Sequence, residues 1–280
     1  MTDSYVDLYT NLAFSQGDPV AFLSLLILFL ARMLPIIAMS PFLGGKILPH
    51  SVKVAFALCI FVIFLPQLAA VTPADLTLNF NMLLMFFKEI LVGFLMGYFV
   101  SIPFVIVQNT GALIDHQRGA SSLMVSDPST QTQTSPLGTL YNLLLIYLFY
   151  LINGPFTFIE MISTSYTVLP PTEFLSPDFF SNNQAFFSEI IRLMGQIMII
   201  STQLAAPALI IILMTDFFLG IANRLAPQVQ ITFLGMPLKS LLALTIVFFG
   251  WQLFMEQIVK ESYKWMNYVS SLINLFSPAI

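Results

Sequence analysis

The chain has 280 residues, of which 58% are hydrophobic and only 9% charged, with a net charge of −4 and a mean hydropathy of +0.88. Soluble domains carry about 25% charged residues, and a water-soluble fold of this size cannot hide so much apolar surface. The composition therefore excludes a soluble globular protein, and with no basic patch it points to no nucleic-acid partner.

The N-terminal arm, MTDSYVDLYT, carries acids and no Lys or Arg. A cleavable signal peptide needs a basic start followed at once by an apolar run, so Met1 onward is expected to be retained. Six long apolar runs follow, at about 20–43, 52–71, 82–107, 137–169, 190–218 and 231–255. Each is long enough to cross a hydrocarbon layer of ~30 Å as a helix, which takes about 20 residues. In lipid every backbone polar group must bond internally, and the runs lack the alternation of a barrel, so all six are expected to be helical. The fold class expected is an all-α integral membrane protein.

The first run holds Arg32 deep within it and carries Pro35 and Pro41, which should kink it or end it early. The second holds the single cysteine, Cys59, which can form no intramolecular disulfide and reads as a small buried hydrophobe. The third opens with Lys88 and Glu89, near enough to the span start to snorkel toward water. Further along, Gly93, Gly97 and Ser101 are spaced four apart and share one helix face, where a second backbone can approach closely. The fourth run is too long for one span, and Asn153-Gly154-Pro155 should divide it into two helical pieces. The sixth carries Lys239 soon after Pro237. A charge there costs ~2.5–3.5 kcal/mol in hydrocarbon and calls for a protein partner or a wet cavity. The tail, 256–280, has balanced charge and an apolar end and suits an interfacial helix.

The connectors differ in charge. The N-terminal arm holds Asp3, Asp7 and Asp18, and the stretch before the fifth run holds Glu173, Asp178 and Glu189. Lys46, Lys53 and Arg224 lie in other connectors. By the positive-inside tendency the acidic segments face outward and the basic ones face the cytoplasm.

Between the third and fourth runs lies GALIDHQRGASSLMVSDPSTQTQTSPLG, residues 111–138, with an Asp–His pair, an Arg, many hydroxyls and amides and no aromatic residue. Pro128 and Pro136 block a continuous helix, so the stretch reads as a loop. Asp115, His116 and Ser121 resemble members of a catalytic triad in type only. Adjacent residues point apart, so Asp115 cannot easily orient His116. The histidines are His50 and His116 alone, with no HExxH and no Gly-x-Ser-x-Gly. No enzyme activity, metal or cofactor is expected.

The polar segment carries a resemblance. IDHQRGASSLMVSDPSTQTQTSPLG is similar to the corresponding segment of the FliR/SctT family, the T-type component of the type III secretion export apparatus. ARMLPIIAMSPFLGGKILPHSVKVAFAL resembles the family's N-terminal Arg, Pro, Gly-Gly, Pro signature, KEILVGFLMGY its glutamate–glycine helix, and ANRLAPQVQITFLGMPLKSLLAL its Pro-Gln, Gly-x-Pro, Lys stretch. The four stand in order along nearly the whole chain. The Gln-Arg-Gly-x-Ser-Ser and Gln-Thr-Ser-Pro-Leu-Gly forms look more like virulence injectisomes than flagella. Thr130 stands where a glycine is expected in many relatives.

The resemblance implies a subunit of a bacterial inner-membrane assembly at the base of a secretion system. Partners would be the P-type and Q-type membrane proteins, the U-type switch protein and the V-type export gate protein, with unfolded secreted proteins as passengers. It implies bent helical hairpins: a P-like part over 1–189 and a Q-like hairpin over 190–255, followed by the tail 256–280. It also implies that the polar segment, 111–136, reaches into the channel as a plug. Asp115, Gln117, Arg118, Ser121, Ser122, Asp127, Gln131 and Gln133 would then line or latch a wet path, and Leu123, Met124 and Val125 would form an apolar seal. Gly111 and Gly119 would allow tight turns, and pairs among Asp115, Arg118 and Asp127 would break readily in water. Arg32 and Lys239 would face a partner or the pore. The alternative is a small-solute secondary transporter, which calls for paired repeats and mid-membrane charged sites. The chain has no repeat, and Glu160 is the nearest mid-span carboxylate.

Overall fold

A computed structural model describes residues 19–45, 47–72, 80–119, 125–126, 133–173, 184–225 and 231–274. The described chain is all-α apart from one two-residue pairing. Helix α1 is Pro19–Met39, α2 His50–Val71, α3 Phe80–Gln117, α4 Pro136–Leu151, α5 Gly154–Val168, α6 Gln184–Leu225, α7 Ile231–Phe249 and α8 Trp251–Asn274. Strands β1, Val125–Ser126, and β2, Gln133–Thr134, pair antiparallel. By length and apolar composition four helices, α1, α2, α3 and α6, can each cross a membrane, and the broken pairs α4 with α5 and α7 with α8 raise the number to six.

Local chemistry sets most of these ends. Pro41 biases Ser40 away from helical geometry, and Ser40 stands at φ −80°, ψ 111°, so α1 stops at Met39. Its Oγ donates to the Ile36 carbonyl at 2.7 Å, and Gly44 closes the following 3-10 turn at φ 70°. The expected break in the fourth run falls at Asn153, which sits in the left-handed region at φ 61°, ahead of Gly154 and Pro155. Pro66, Pro103 and Pro207 lie within helices that continue through them.

Four expectations change. The third run does not stop at 107 but runs to Gln117, so residues 111–117 of the polar segment are helical and Gly111 makes no turn. Within this extension Asp115 finds partners at Ser135 and Leu137. The sixth run does not reach residue 255 as one helix, because Gly250 breaks it and α8 leaves α7 at 64°. Cys59 is exposed rather than buried: α2 packs one face on α1 and turns apolar positions such as Val62 and Ile63 outward. Lys88 and Glu89 do not snorkel; both are buried.

Packing divides the chain into two compact units: Met1–Ser101 with Asn153–Phe187 and Met266–Ile280, and Ile102–Ile152 with Ser188–Trp265. In the first, α1, α2, α5 and the start of α3 enclose Leu28, Phe29, Ile36, Ala57, Leu68 and Ile162. Phe29 stacks on Tyr166 with ring centroids 5.7 Å apart and meets Phe61 at 5.3 Å. Gly93 and Gly97 face α1 so closely that a side chain at 93 would enter the Arg32 carbonyl, and one at 97 would press on Ile36 and Met39. Ser101 is buried, with its Oγ on the Tyr98 carbonyl at 2.7 Å. In the second unit Tyr141 meets Phe254 at 4.4 Å and Phe104 meets Phe149 at 5.7 Å. Thr110 Oγ1 donates to the Ser201 carbonyl at 3.3 Å and Ser201 Oγ to the Ile106 carbonyl at 3.1 Å, joining α3 to α6.

The glycine contacts give a direct test. Gly93→Ala should lower stability by about 1–3 kcal/mol, since the obstructing atoms are backbone. Gly195→Ala, where nothing stands within 4 Å, should be neutral or stabilising by up to ~1 kcal/mol. Thermal denaturation of both variants in mild detergent measures the difference.

Candidate functional site

Three constellations of charge are built into this apolar chain. The first lies in the first unit. Arg32 on α1 has no exposed surface, and neither has Glu89 on α3. Their pairing is a fork: Arg32 Nε donates to Glu89 Oε2 at 2.5 Å and Nη2 to Oε1 at 2.8 Å. The remaining N–H groups of Arg32 turn to the end of α5. Nη1 reaches the Ser165 carbonyl at 3.0 Å and its Oγ at 3.2 Å, and Nη2 reaches the Leu169 carbonyl at 2.9 Å. The Tyr166 ring covers the guanidinium at 4.1 Å, an arrangement that favours a cation.

Lys88 completes the group. Its Nζ lies 2.7 Å from Glu89 Oε1 and donates to the carbonyls of Pro170 at 2.9 Å, Pro171 at 3.1 Å and Glu173 at 2.9 Å. A helix leaves its last carbonyls unpaired and carries partial negative charge at that end. Two cations against one carboxylate therefore suit the end of α5 and the turn after it. Burying ions is unfavourable by several kcal/mol each unless they are paired and their hydrogen bonds filled, and here both conditions hold. Arg32 was expected to face a partner or the pore; within this chain its partner is Glu89.

The second constellation is the base of the polar segment. Asp115, near the end of α3, is buried. Its Oδ1 accepts from Arg118 Nε at 2.8 Å and Nη2 at 2.7 Å. Its Oδ2 accepts from Ser135 Oγ and, at 2.9 Å, from the Leu137 backbone N–H. Ser135 is the N-cap of α4, and its Oγ accepts from the Gly138 N–H at 2.9 Å. An acid at a helix start with a Ser cap fills two of the orphan donors there. Close approach is allowed by Gly111, where any side chain would enter the backbone at Leu137 and Gly138. The two ends of the polar segment are thus fastened together. Arg118 also reaches out, donating from Nη1 to Ser240 Oγ on α7 at 3.0 Å. Gly119 then turns the chain at φ 85°.

The third is Lys239 on α7, paired with Asp216 on α6, with side chains 23% and 41% exposed.

Of the other residues read from the sequence, Gln117 and His116 are exposed at the end of α3. Val125 and Gln133 are described through their backbone pairing. Ser121, Ser122, Leu123, Met124, Asp127 and Gln131 lie outside the described residues. The expectation that Asp115 and Arg118 pair in water changes: both side chains are buried, at 1% and 10% exposure, because α4 and α7 pack over them. Sequence reasoning missed Glu89, Ser135 and Ser240 as partners. The signal for Glu89 was present, since a buried Arg32 needs a carboxylate and this is the first one inside a later run. No group of three or more His, Cys, Asp or Glu is placed to hold a metal among the described residues.

The model of the family described as Bacterial export proteins, family 1, matches residues 23–264. The chain is 30% identical over 221 residues to the surface presentation of antigens protein SpaR of Shigella flexneri, covering 78% of this chain and 81% of that one. It is 28% identical over 254 residues to the Yop proteins translocation protein T of Yersinia pestis, covering 89% and 90%. It is 26% identical over 219 residues to the flagellar biosynthetic protein FliR of Escherichia coli, covering 78% and 80%.

Removing the charge of Glu89 should be severe. Glu89→Gln leaves two buried cations without a counter-charge, a loss of about 3–5 kcal/mol. Arg32→Lys should fail as well, because an ammonium cannot replace the fork that meets Glu89 and the α5 carbonyls together. Protease resistance of the chain in isolated membranes reads both.

Proposed function

Because the chain belongs to the bacterial export proteins, family 1, and is an export component rather than an enzyme, we propose that it is the T-type membrane subunit of a type III secretion export apparatus. In this reading it helps to form the channel for unfolded proteins, with residues 115–133 as the plug. The observation that carries the reading is the fastened base of the polar segment: Asp115 holds Ser135 and Leu137, so the residues between leave and return at one point. A segment held at its base and rich in hydroxyls and amides can fill a wet path without binding one passenger sequence tightly.

The names of the relatives, surface presentation of antigens and Yop translocation, support the injectisome form. The partners are the P-type and Q-type membrane proteins, with the U-type switch and V-type gate proteins beside them, in the bacterial inner membrane. Residues 1–189 form the P-like part and 190–255 the Q-like hairpin. Exposed apolar side chains, such as Leu143 and Tyr147 on α4 and Phe217 and Phe218 on α6, are covered by partners or lipid. The Arg32–Glu89–Lys88 group keeps its charges for one another, which leaves it a fastening rather than a solute site.

Deleting residues 123–126 should leave assembly intact and make the membrane leak ions; a normally assembled variant with unchanged conductance would remove the plug assignment. Lys239→Leu strands Asp216 on an apolar surface, where an unpaired charge is unfavourable by ~2.5–3.5 kcal/mol. Secretion should fall about tenfold or more, as measured by cargo in the medium.

A further inference from the structure

Helices α7 and α8 differ in what they show outward. On α7 the exposed side chains include Leu238, Leu241, Leu244, Phe248 and Phe249. Thr245 is exposed too, but its Oγ1 donates to the Leu241 carbonyl at 2.8 Å, and the charge of Lys239 is paired with Asp216. On α8 the exposed side chains described between 252 and 264 are Gln252, Glu256, Gln257, Lys260 and Lys264, with Leu253 in the first turn as the apolar exception. Residues four apart share a helix side, so Gln252, Glu256, Lys260 and Lys264 form a stripe. Lys264 Nζ donates to Glu261 Oε1 at 2.7 Å and Gln252 Nε2 to Glu256 Oε1 at 3.3 Å. Lys260 has no ion-pair partner among the described residues. An ammonium left unpaired in hydrocarbon is strongly unfavourable.

A helix that lies on lipid turns its apolar side to the membrane. Helix α8 turns that side to protein: Ile258 and Trp265 are buried, and the Phe254 ring meets Tyr141 of α4 at 4.4 Å. The polar stripe is what remains outward.

The change of face coincides with a change of direction, since α8 leaves α7 at 64° across Gly250. Helix α7 has 19 residues, about 28 Å at 1.5 Å per residue. That nearly spans a hydrocarbon layer of ~30 Å with nothing added by α8. Phe248 and Phe249, 74% and 77% exposed, end its apolar face. Trp251 follows at once, half-buried, and tryptophan favours the boundary between membrane and water.

We propose that Gly250 marks a membrane boundary and that α8 lies beyond it. Phe248 and Phe249 face acyl chains, while Gln252, Glu256, Lys260 and Lys264 face water. The α7–α8 pair is then a membrane helix followed by an aqueous one, not a single broken span. The inference needs only a membrane-embedded chain and is independent of the plug.

The test places a nitroxide label at single cysteines, Phe248→Cys, Phe249→Cys, Glu256→Cys and Lys260→Cys, in a chain whose native thiol is removed by Cys59→Ala. The complex is purified from native membranes and reconstituted in phosphatidylethanolamine–phosphatidylglycerol vesicles, with the unlabelled-position Cys59→Ala complex as background. Spin relaxation by oxygen, which concentrates in lipid, is compared with relaxation by a water-soluble nickel chelate. All four positions are exposed, so the label displaces no packing. Labels at 248 and 249 should respond to oxygen and hardly to nickel, and the nickel-to-oxygen ratio should rise several-fold at 256 and 260. An oxygen-dominated response at 256 and 260 would place α8 in the hydrocarbon and overturn the proposal. Nickel access at 248 and 249 would overturn it by placing the end of α7 in water. Shielding from both reagents at either pair of positions would overturn it as well, since a protein partner would then occupy that face.

Discussion

Glu89 balances two buried cations in a unit that offers them little else. Arg32 and Lys88 both lie against its carboxylate, and their remaining N–H groups go to backbone carbonyls between residues 165 and 173. In an apolar chain this constraint reaches far. It fixes α1 against α3 through the Arg32–Glu89 fork, and it fills carbonyls at the end of α5 with donors from α1 and α3. Gly93 lies one helix turn from Glu89, so the same face of α3 that presents the carboxylate lets the α1 backbone come near. Charge pairing and close packing here are two aspects of one contact. Either alone would leave the other unsatisfied: a bulkier residue at 93 would move Arg32 away, and a neutral residue at 89 would leave it buried and uncompensated.

The second unit repeats the logic with a different purpose. Asp115 is again a buried acid beside a buried cation, yet its carboxylate caps a helix start rather than serving a helix end. One acid thereby joins the end of α3 to the beginning of α4 across the whole polar segment. The two ends of the polar stretch are thereby satisfied inside the protein, between apolar runs on either side.

Much of the architecture was legible because its causes are local. Hydropathy marked the helices, Pro41 the end of the first, and Asn153-Gly154-Pro155 the break in the fourth. What escaped depends on contacts distant in sequence. Helix α3 continues to Gln117 because Asp115 and Arg118 find Ser135 and Ser240, which periodicity along one segment does not reveal. Gly250 broke a run that is apolar on both sides, where a lone glycine carries little signal. Lys88 and Glu89 were read as snorkelling since their place near a span start allows it; their burial follows from Arg32, 57 residues before Glu89. Cys59 lies exposed because an apolar residue in a membrane helix is equally suited to lipid or a partner. Asp115 and Arg118 meet in a buried setting, which the reading of the segment as a solvated loop does not suggest.

The proposed role as an export-apparatus subunit requires companions in the membrane. The most direct measurement is purification of the tagged chain from native membranes in mild detergent, with mass spectrometry of what accompanies it. Two small hydrophobic membrane proteins in multiple copies are the predicted companions, and their neighbours would distinguish injectisome from flagellum. A lone, stable, monodisperse chain that takes up a small solute would contradict the account.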